Sequence, residues 1–278
     1  MSVVLTELHC HTNASDGLYA PSEVVRLAQA RGVALLAITD HDTLAGHAEA
    51  LAAGAALGVR VIPGIEISTL SPQGEVHVLG YNVNPKEEAV RQRIAALQDV
   101  RVARARRILE KLAALGLHVP FEAVLAQAGD GVIGRPHVAR AMVRLGLVPD
   151  VQTAFDRYLA EGKPAFVPHE GLTPADAVQL IHAAGGVAVL AHPGLYQGDL
   201  EPLLSDLLAV ALDGIEAYYP LHTAEQTQRF VRFARQNNLL VTGGSDFHGG
   251  ELAGAMLLGS VALPEADVRA FMARVGVG

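Results

Sequence analysis

The feature that most constrains this chain is an alternation of short β-rich runs with helix-length amphipathic stretches, present towards both ends of its 278 residues and missing from the middle. The runs are VVLTEL from Val3, ALLAIT from Ala34, VRVIPGIEIS from Val59, EVHVLGY from Glu75, VAVLAH from Val187, GIEAYY from Gly214 and LLVTGGS from Leu239. Between most of them lie PSEVVRLAQARG, TLAGHAEALAAGAALG, TPADAVQLIHAAGG and AEQTQRFVRFARQNN. Several of these stretches end on Gly or Asn, residues that tolerate the left-handed conformation closing a helix. Strand followed by helix, repeated, predicts a mainly parallel sheet or a barrel.

From about Lys86 to Lys163 the pattern is helical with almost no strand. EEAVRQRIAALQDVRVARARRILEKLAALG places Val90, Ile94, Leu97, Ile108, Leu112 and Leu115 on a long helix, and RPHVARAMVRLG and DVQTAFDRYLAEG follow it. The expected organisation is an α/β barrel of residues 1–84 and 168–278, interrupted after its fourth strand by a helical substrate-recognition domain, 85–167. Charge divides in the same way. Pro85 to Pro164 holds 13 Lys/Arg and 9 Asp/Glu, a net of +4, leaving 8 and 20, a net of −12, for the rest of a chain whose total is −8. A basic insertion in an acidic body fits a division of labour, one part holding cations and the other meeting an anion. The overall acidity argues against binding duplex DNA in bulk. Continuing the apolar spacing of the long helix from Leu97 lands on Arg101 and Arg104. Either these pair with carboxylates at the junction with the barrel, or they face the cleft and hold phosphate.

In a parallel barrel the loops after the strands open on one face, and functional side chains gather there. The first strand ends in His9 and His11, with Asp16 in the following loop; the second ends in Asp40-His41-Asp42. Glu66 lies near the end of the third, His77 in or near the fourth, His192 at the end of the fifth, and Asp246 and His248 follow the last. Nine potential nitrogen and oxygen ligands thus converge on one end. A single buried histidine is usually a packed, hydrogen-bonded residue, but six separate strand ends each offering a ligand are not explained in that way. Side chains alternate along a strand, so His9 and His11 share one side and Cys10 faces the barrel wall.

That lone cysteine excludes an internal disulfide framework and a cysteine-type structural zinc site, and it fits a reducing compartment. No apolar run reaches the ~20 residues of a membrane span. The expected protein is cytoplasmic, acts away from membranes and works as a monomer. Mixed imidazole and carboxylate ligation suits Mn, Fe or Zn. Nine ligands exceed the needs of one ion and suit two or three divalent ions, spaced roughly 3.5–4 Å apart for phosphoryl chemistry. Arg135 and His137 flank Pro136, a helix-start residue, where free N–H groups also meet an anion; both are read as phosphate contacts. His222 follows a strand on the functional face and is read as a substrate contact or a neighbour of one. His169 lies where the chain re-enters the barrel.

At ELHCHTNASDG, ITDHDT, PGIEIS, VHVLGY, LAHPG and GSDFHG the chain resembles the PHP superfamily, named for polymerase and histidinol phosphatase domains. RVARARRILEKL and GRPHVARAMV are similar to the helical domain of its nucleoside 3′,5′-bisphosphate phosphatase and ribonuclease-like subgroup, so the resemblance covers roughly the whole chain. It implies a distorted (β/α)7 barrel with three metals. His9, His11, Glu66 and Asp246 would hold the first ion. Glu66 would bridge to a second, completed by His77 and His192. Asp16, His41 and His248 would hold a third. Asp16 stands where many members carry histidine.

The reaction expected is hydrolysis of a phosphate ester by a hydroxide bridging two ions, with no protein nucleophile. His222 is one candidate proton donor to the leaving group. Arg135 and His137, with Arg101 and Arg104, would hold a second phosphate. The expected substrate is a nucleoside 3′,5′-bisphosphate, cleaved at its 3′-phosphate, or the 5′ end of a short phosphorylated oligonucleotide. Histidinol phosphate is the alternative within the same chemistry. A non-catalytic, metal-stabilised binding protein is the alternative outside it, and the complete ligand set argues against it.

Overall fold

The computed structural model describes residues 3–72, 74–250 and 257–276. Its strands are β1 (Val3–Glu7), β2 (Leu35–Ile38), β3 (Arg60–Ser71), β4 (Gly74–Tyr81), β5 (Val187–Leu190), β6 (Gly214–Tyr218), β7 (Leu240–Gly243) and β8 (Ala262–Pro264). They form one sheet in the order β7-β6-β5-β4-β3-β2-β1-β8, curled into a nearly closed barrel. Its helices are α1 (Pro21–Ala30), α2 (His47–Leu57), α3 (Glu88–Ala114), α4 (Phe121–Ala128), α5 (Arg135–Arg144), α6 (Val151–Ala154), α7 (Pro174–Ala183), α8 (Glu201–Ala209), α9 (Ala224–Gln236) and α10 (Glu265–Arg274). The chain beyond α6 continues as a π-helical turn, Phe155–Leu159. The expected α/β barrel is present, with β8 as an eighth strand beyond the seven read from the sequence.

Two features depart from a uniformly parallel barrel. β3 and β4 are antiparallel, paired from Gly64–Tyr81 to Ser71–Gly74, and β4 is also antiparallel to β5. The cause is the short Ser71-to-Gly74 connection, which permits a hairpin but not the crossover a parallel pair needs. His77 consequently reaches the functional face on a strand running towards the opposite end. Closure is the second feature. β8 pairs antiparallel with β1, Val3 against Pro264. Past the ends of β1 and β7 the two chains pair directly: the Asp246 N–H donates to the His9 carbonyl at 2.8 Å, and the His11 N–H to that of Phe247 at 2.9 Å. The buried Glu7 carboxylate fastens this seam, accepting from the Ser245 N–H at 2.7 Å, its hydroxyl at 2.6 Å and the Gly259 N–H at 2.8 Å. Gly244 is required beside it, because a Cβ there would stand 2.4 Å from the His9 nitrogen.

The outer helices start where the sequence supplies caps. The Thr173 hydroxyl accepts from the Asp176 N–H ahead of α7, and the Thr223 hydroxyl from the Gln226 N–H ahead of α9. In each case the acidic or amide side chain reaches back to the cap backbone, satisfying donors that a helix start leaves free. Apolar faces then pack on the barrel: Val24, Val25 and Ala28 of α1, and Ala177, Val178 and Ile181 of α7, are buried. Each fully buried aliphatic side chain stabilises the fold by roughly 1.5–3 kcal/mol.

The apolar core divides within α3. Val90, Ile94 and Leu97 join the cluster of Ile65, Ile67, Leu172 and Ile181. Ala105, Ile108 and Leu112 belong to a second cluster with Val124, Val138, Met142 and Leu159. Arg101 and Arg104, both buried, lie between the two. Among the described residues, no helix is long and apolar enough to cross a membrane.

Candidate metal centre and active site

Glu66, on β3, is the centre of the site. Its buried carboxylate lies 3.3 Å from His9 Nε2, 3.2 Å from His11 Nε2, 3.1 Å from His41 Nδ1, 2.9 Å from His77 Nδ1 and 3.1 Å from His192 Nε2. Asp246 Oδ1 lies 3.3 Å from His9 Nε2 and 3.0 Å from His11 Nε2. Asp16 Oδ1 lies 3.3 Å from His248 Nε2, and Asp16 Oδ2 lies 3.9 Å from His41 Nε2. Three groups have ligand atoms within 4.8 Å of one another: His9, His11, Glu66 and Asp246; His41, Glu66 and His77; and His11, Asp16, His41 and His248. All nine sequence-derived ligands therefore meet. The second grouping takes His41 beside His77 and Glu66, while His192 adjoins it through Glu66.

These residues fit divalent cations. His9 Nε2, His41 Nδ1, Glu66 Oε2, His192 Nδ1 and both nitrogens of His11 and His77 are buried and, although several lie within 3.3 Å of one another, make no well-aligned hydrogen bond. Such atoms are rare in a folded interior, and cations held in the three groupings would satisfy many of them. Cys10 turns away, its Sγ donating to the Ala37 carbonyl at 3.3 Å, so the donor set is nitrogen and oxygen alone.

Neighbouring groups fix the ligand orientations. Glu216, fully buried on β6, accepts from His9 Nδ1 at 3.1 Å and from the His192 N–H at 2.8 Å, leaving His9 Nε2 free to ligate. His248 Nδ1 donates to the Asp246 carbonyl at 2.8 Å, directing Nε2 at Asp16. The Tyr219 hydroxyl donates to Asp246 Oδ2 at 3.0 Å. Asp40 accepts from the Thr12 N–H and hydroxyl, each at 2.7 Å, and from the Ser15 hydroxyl at 2.6 Å, shaping the loop that carries Asp16. His192 and Asp246 adopt positive φ, 25° and 53°.

The electrostatics raise some of these imidazoles and lower another: burial, with His11 and Arg101 nearby, outweighs Glu66 and Asp16 and lowers His41 well below 6.5. Burial works to lower His9, but Glu216, Glu66 and Asp246 outweigh it and raise it well above 6.5. Burial likewise opposes the rise of His11 to about 10, driven by Asp246 and Glu66, and of His77 to about 9, driven by Glu66 and Glu75. Burial alone would raise Glu66, Asp16 and Asp246; the surrounding imidazoles hold all three well below the ordinary carboxylate range.

The expected phosphate contacts divide. Arg101 Nε donates to Asp42 Oδ2 at 2.5 Å and its Nη2 to the Ser68 hydroxyl at 2.6 Å. Arg104 Nη2 donates to Glu75 Oε2 at 2.9 Å and its Nε to the Val167 carbonyl at 2.9 Å. Both therefore pair with carboxylates at the junction. Arg135 Nη2 reaches the same Glu75 oxygen at 3.2 Å and keeps 24% of its side chain exposed. The three guanidiniums, with Gly134, line one narrow cavity.

His137 and His222 are placed differently from the expectation. His137 is 1% exposed; its Nδ1 accepts the Gly134 N–H at 2.9 Å and the ring also bonds to the backbone of Ser15, so it ties the start of α5 to the Asp16 loop. Burial, with Arg140 and Arg101 nearby, lowers it to about 4. His222 Nε2 accepts from the Gly194 N–H at 3.0 Å and Nδ1 donates to the Ala217 carbonyl at 3.0 Å. With both nitrogens engaged by backbone, it braces the turn after His192 and has no proton directed at a substrate. Sequence pattern alone does not identify Glu216 and Glu75 as supports of the site. A glutamate inside GIEAYY, an otherwise apolar strand, is the signal for Glu216; Glu75 is two residues from His77 and gives no signal without the insertion packed against it.

A PHP domain family model matches residues 7–130. A 3′,5′-nucleoside bisphosphate phosphatase of Chromobacterium violaceum is 38% identical over 87% of this chain and 86% of its own length. A 5′-3′ exoribonuclease of Haemophilus influenzae is 40% identical over 87% of this chain and 89% of its own. The structure of an amidohydrolase from Chromobacterium violaceum, solved with bound sulfate and no metal, superposes with a TM-score of 0.88 at 36% identity, covering 98% of this chain and 97% of that one. With relatives this similar over nearly its whole length, and with a cluster of imidazoles and carboxylates gathered at one end of its barrel, the chain belongs to the PHP family.

Proposed function

We propose that this PHP protein is a phosphoesterase that hydrolyses the 3′-phosphate of nucleoside 3′,5′-bisphosphates and acts in the same register on short 5′-phosphorylated oligonucleotides. The observation that carries the proposal is the convergence of unpartnered ligand atoms on Glu66, one side chain away from three arginines. His9, His11, Glu66 and Asp246 would hold one divalent ion, Glu66, His77 and His192 with His41 nearby a second, and Asp16, His41 and His248 a third; Mn, Fe and Zn all suit these ligands. Bound there, such ions lower the pKa of water towards neutrality and neutralise charge on the phosphoryl oxygens.

The protein's own part is orientation and selection. Glu216 and Tyr219 hold His9 and Asp246 in ligating positions. Arg101, Arg104 and Arg135 carry three positive charges against the two negative charges of Asp42 and Glu75. The surplus attracts a second phosphate, and Arg135 is the guanidinium most exposed to meet it. This placement supports reading residues 85–167 as a substrate-recognition domain, although the first half of α3 packs with the barrel core. The ligands are recessed, with His9 at 0% and Asp246 at 16% exposure, which favours a mononucleotide or a single-strand end over a duplex.

Incubation of metal-loaded protein with adenosine 3′,5′-bisphosphate tests the reading. The expected products are inorganic phosphate and adenosine 5′-monophosphate. Formation of the 3′-monophosphate, or no turnover alongside rapid hydrolysis of histidinol phosphate, overturns it. Arg135→Ala is expected to weaken the bisphosphate more than a simple 3′-monophosphate; equal losses would remove Arg135 from recognition of the second phosphate.

A further inference from the structure

The antiparallel ladder between β4 and β5 is altered where it reaches the metal ligands. Val78 pairs with Leu190, so the next pair along is His77 opposite Ala191. Residues opposed in this way, once they share one backbone hydrogen bond, ordinarily exchange the second as well. The Ala191 N–H does donate to the His77 carbonyl, at 3.1 Å. In place of the return bond stands the Tyr196 hydroxyl, which accepts from the His77 N–H at 2.9 Å and donates to the Ala191 carbonyl at 2.8 Å. Two bonds in series need more room than one, so the strands are held apart at this rung.

The residues on either side of the opened rung carry ligands. His77 Nδ1 lies 2.9 Å and His192 Nε2 3.1 Å from the same oxygen, Oε1 of Glu66. Their rings stand nearly perpendicular, 5.2 Å between centroids. The Tyr196 ring meets the His192 ring edge-on at 5.6 Å. One side chain therefore touches the backbone of His77, the carbonyl that leads into His192, and the His192 ring. Its own position is prepared by the 3-10 turn Pro193–Leu195, which folds the chain back after His192. That turn is fastened from α9 and the loop before it: His222 Nε2 accepts from the Gly194 N–H at 3.0 Å, and Gln226 donates to the Gly194 carbonyl at 3.1 Å.

We propose that Tyr196 is a positioning residue whose interposed hydroxyl sets the spacing of His77 and His192, so that both rings meet the ion held with Glu66. The inference rests on the proposed metal centre. Without the hydroxyl, the His77 N–H and the Ala191 carbonyl either close on one another or lose their bonds, and in both cases the two rings shift relative to Glu66. Tyr196→Phe removes that oxygen and keeps the ring against His192.

The test is Mn titration of chelator-treated protein against a competing metal indicator, for the native chain, Tyr196→Phe, His77→Ala and the double variant. Native protein is expected to bind more than one ion. Tyr196→Phe is expected to weaken one of them about tenfold, the scale of a lost partner that orients a ligand, and to leave another at native affinity. In the His77→Ala background the same change is expected to add less than about twofold, because both substitutions act on one ion. A general loss of stability would instead weaken every ion and persist in that background. Unchanged affinities, an equal loss at all ions, a tenfold loss that survives His77→Ala, or a Tyr196→Phe chain that does not fold each overturn the proposal. A native protein that binds no Mn overturns the metal centre itself, a separate result, and the positioning role falls with it.

Discussion

Glu66 is the residue on which the centre depends, because one carboxylate stands within 3.3 Å of ring nitrogens from five histidines. Glu66→Gln keeps the shape but removes the charge that balances them, and elemental analysis is expected to find the ions lost. Glu216 acts one step further out, through His9. Glu216→Gln is expected to lower metal affinity or activity about 10- to 100-fold with the fold intact, the usual effect of losing a partner that orients a ligand; near-native metal titrations would remove it from that role. At His222 the geometry separates two roles that the sequence leaves together. His222→Ala is expected to reduce kcat by loosening the turn below His192 while leaving the pH profile in place. Loss of one limb of that profile would restore a proton-donor role. The candidate ligands are legible from sequence because each is a polar residue in, just after or in the loop following an apolar run. Their supports are less so, since Glu75 meets Arg135 across 60 residues of chain and His137 is held against the backbone of Ser15 in a distant loop.

At the scale of elements, β4 and α3 each carry a lesson. Strand and helix identities followed from periodicity and caps, but direction did not. β4 reads as one more barrel strand in sequence, and only the tight Ser71-to-Gly74 connection makes it antiparallel. The long helix α3 likewise reads as part of one inserted unit, whereas its first half packs with the barrel core and its second with the other helices. The two arginines that interrupt its stripe sit where those cores meet. Leu112, fully buried in the second cluster, tests this division. Leu112→Ala is expected to cost 2–5 kcal/mol in denaturant unfolding, by transfer and cavity terms of about that total, while the metal content of the folded protein stays native. Coupled loss of metal would show that the barrel site depends on the helical cluster more closely than the packing implies.

For the molecule as a whole, folding gathers carboxylates and imidazoles into one buried centre, and protons or cations must balance them. In metal-free protein His77 and His11 have folded pKa values of about 9 and about 10 against an ordinary 6.5. Raised histidine values contribute stability that is fully present below the unfolded pKa and is lost as pH rises through the folded one. The thermal midpoint of chelator-treated protein is therefore expected to fall between about pH 7 and 10. Metal-loaded protein, whose ligating imidazoles are neutral, is expected to lack that fall. Cation binding near pH 7 is expected to release protons, seen calorimetrically as a heat that varies with the ionisation enthalpy of the buffer. Identical melting profiles with and without metal would contradict this account.

The central claim is that the cluster around Glu66 holds the ions that make this protein a nucleotide phosphoesterase. Its most direct test is a metal titration of chelator-treated protein, with phosphate release from adenosine 3′,5′-bisphosphate as the readout. The account predicts no turnover without metal and activity that rises to a plateau only after more than one equivalent of Mn, Fe or Zn is bound. Full turnover in the presence of excess chelator, or metal uptake to saturation with no phosphate released, would contradict it.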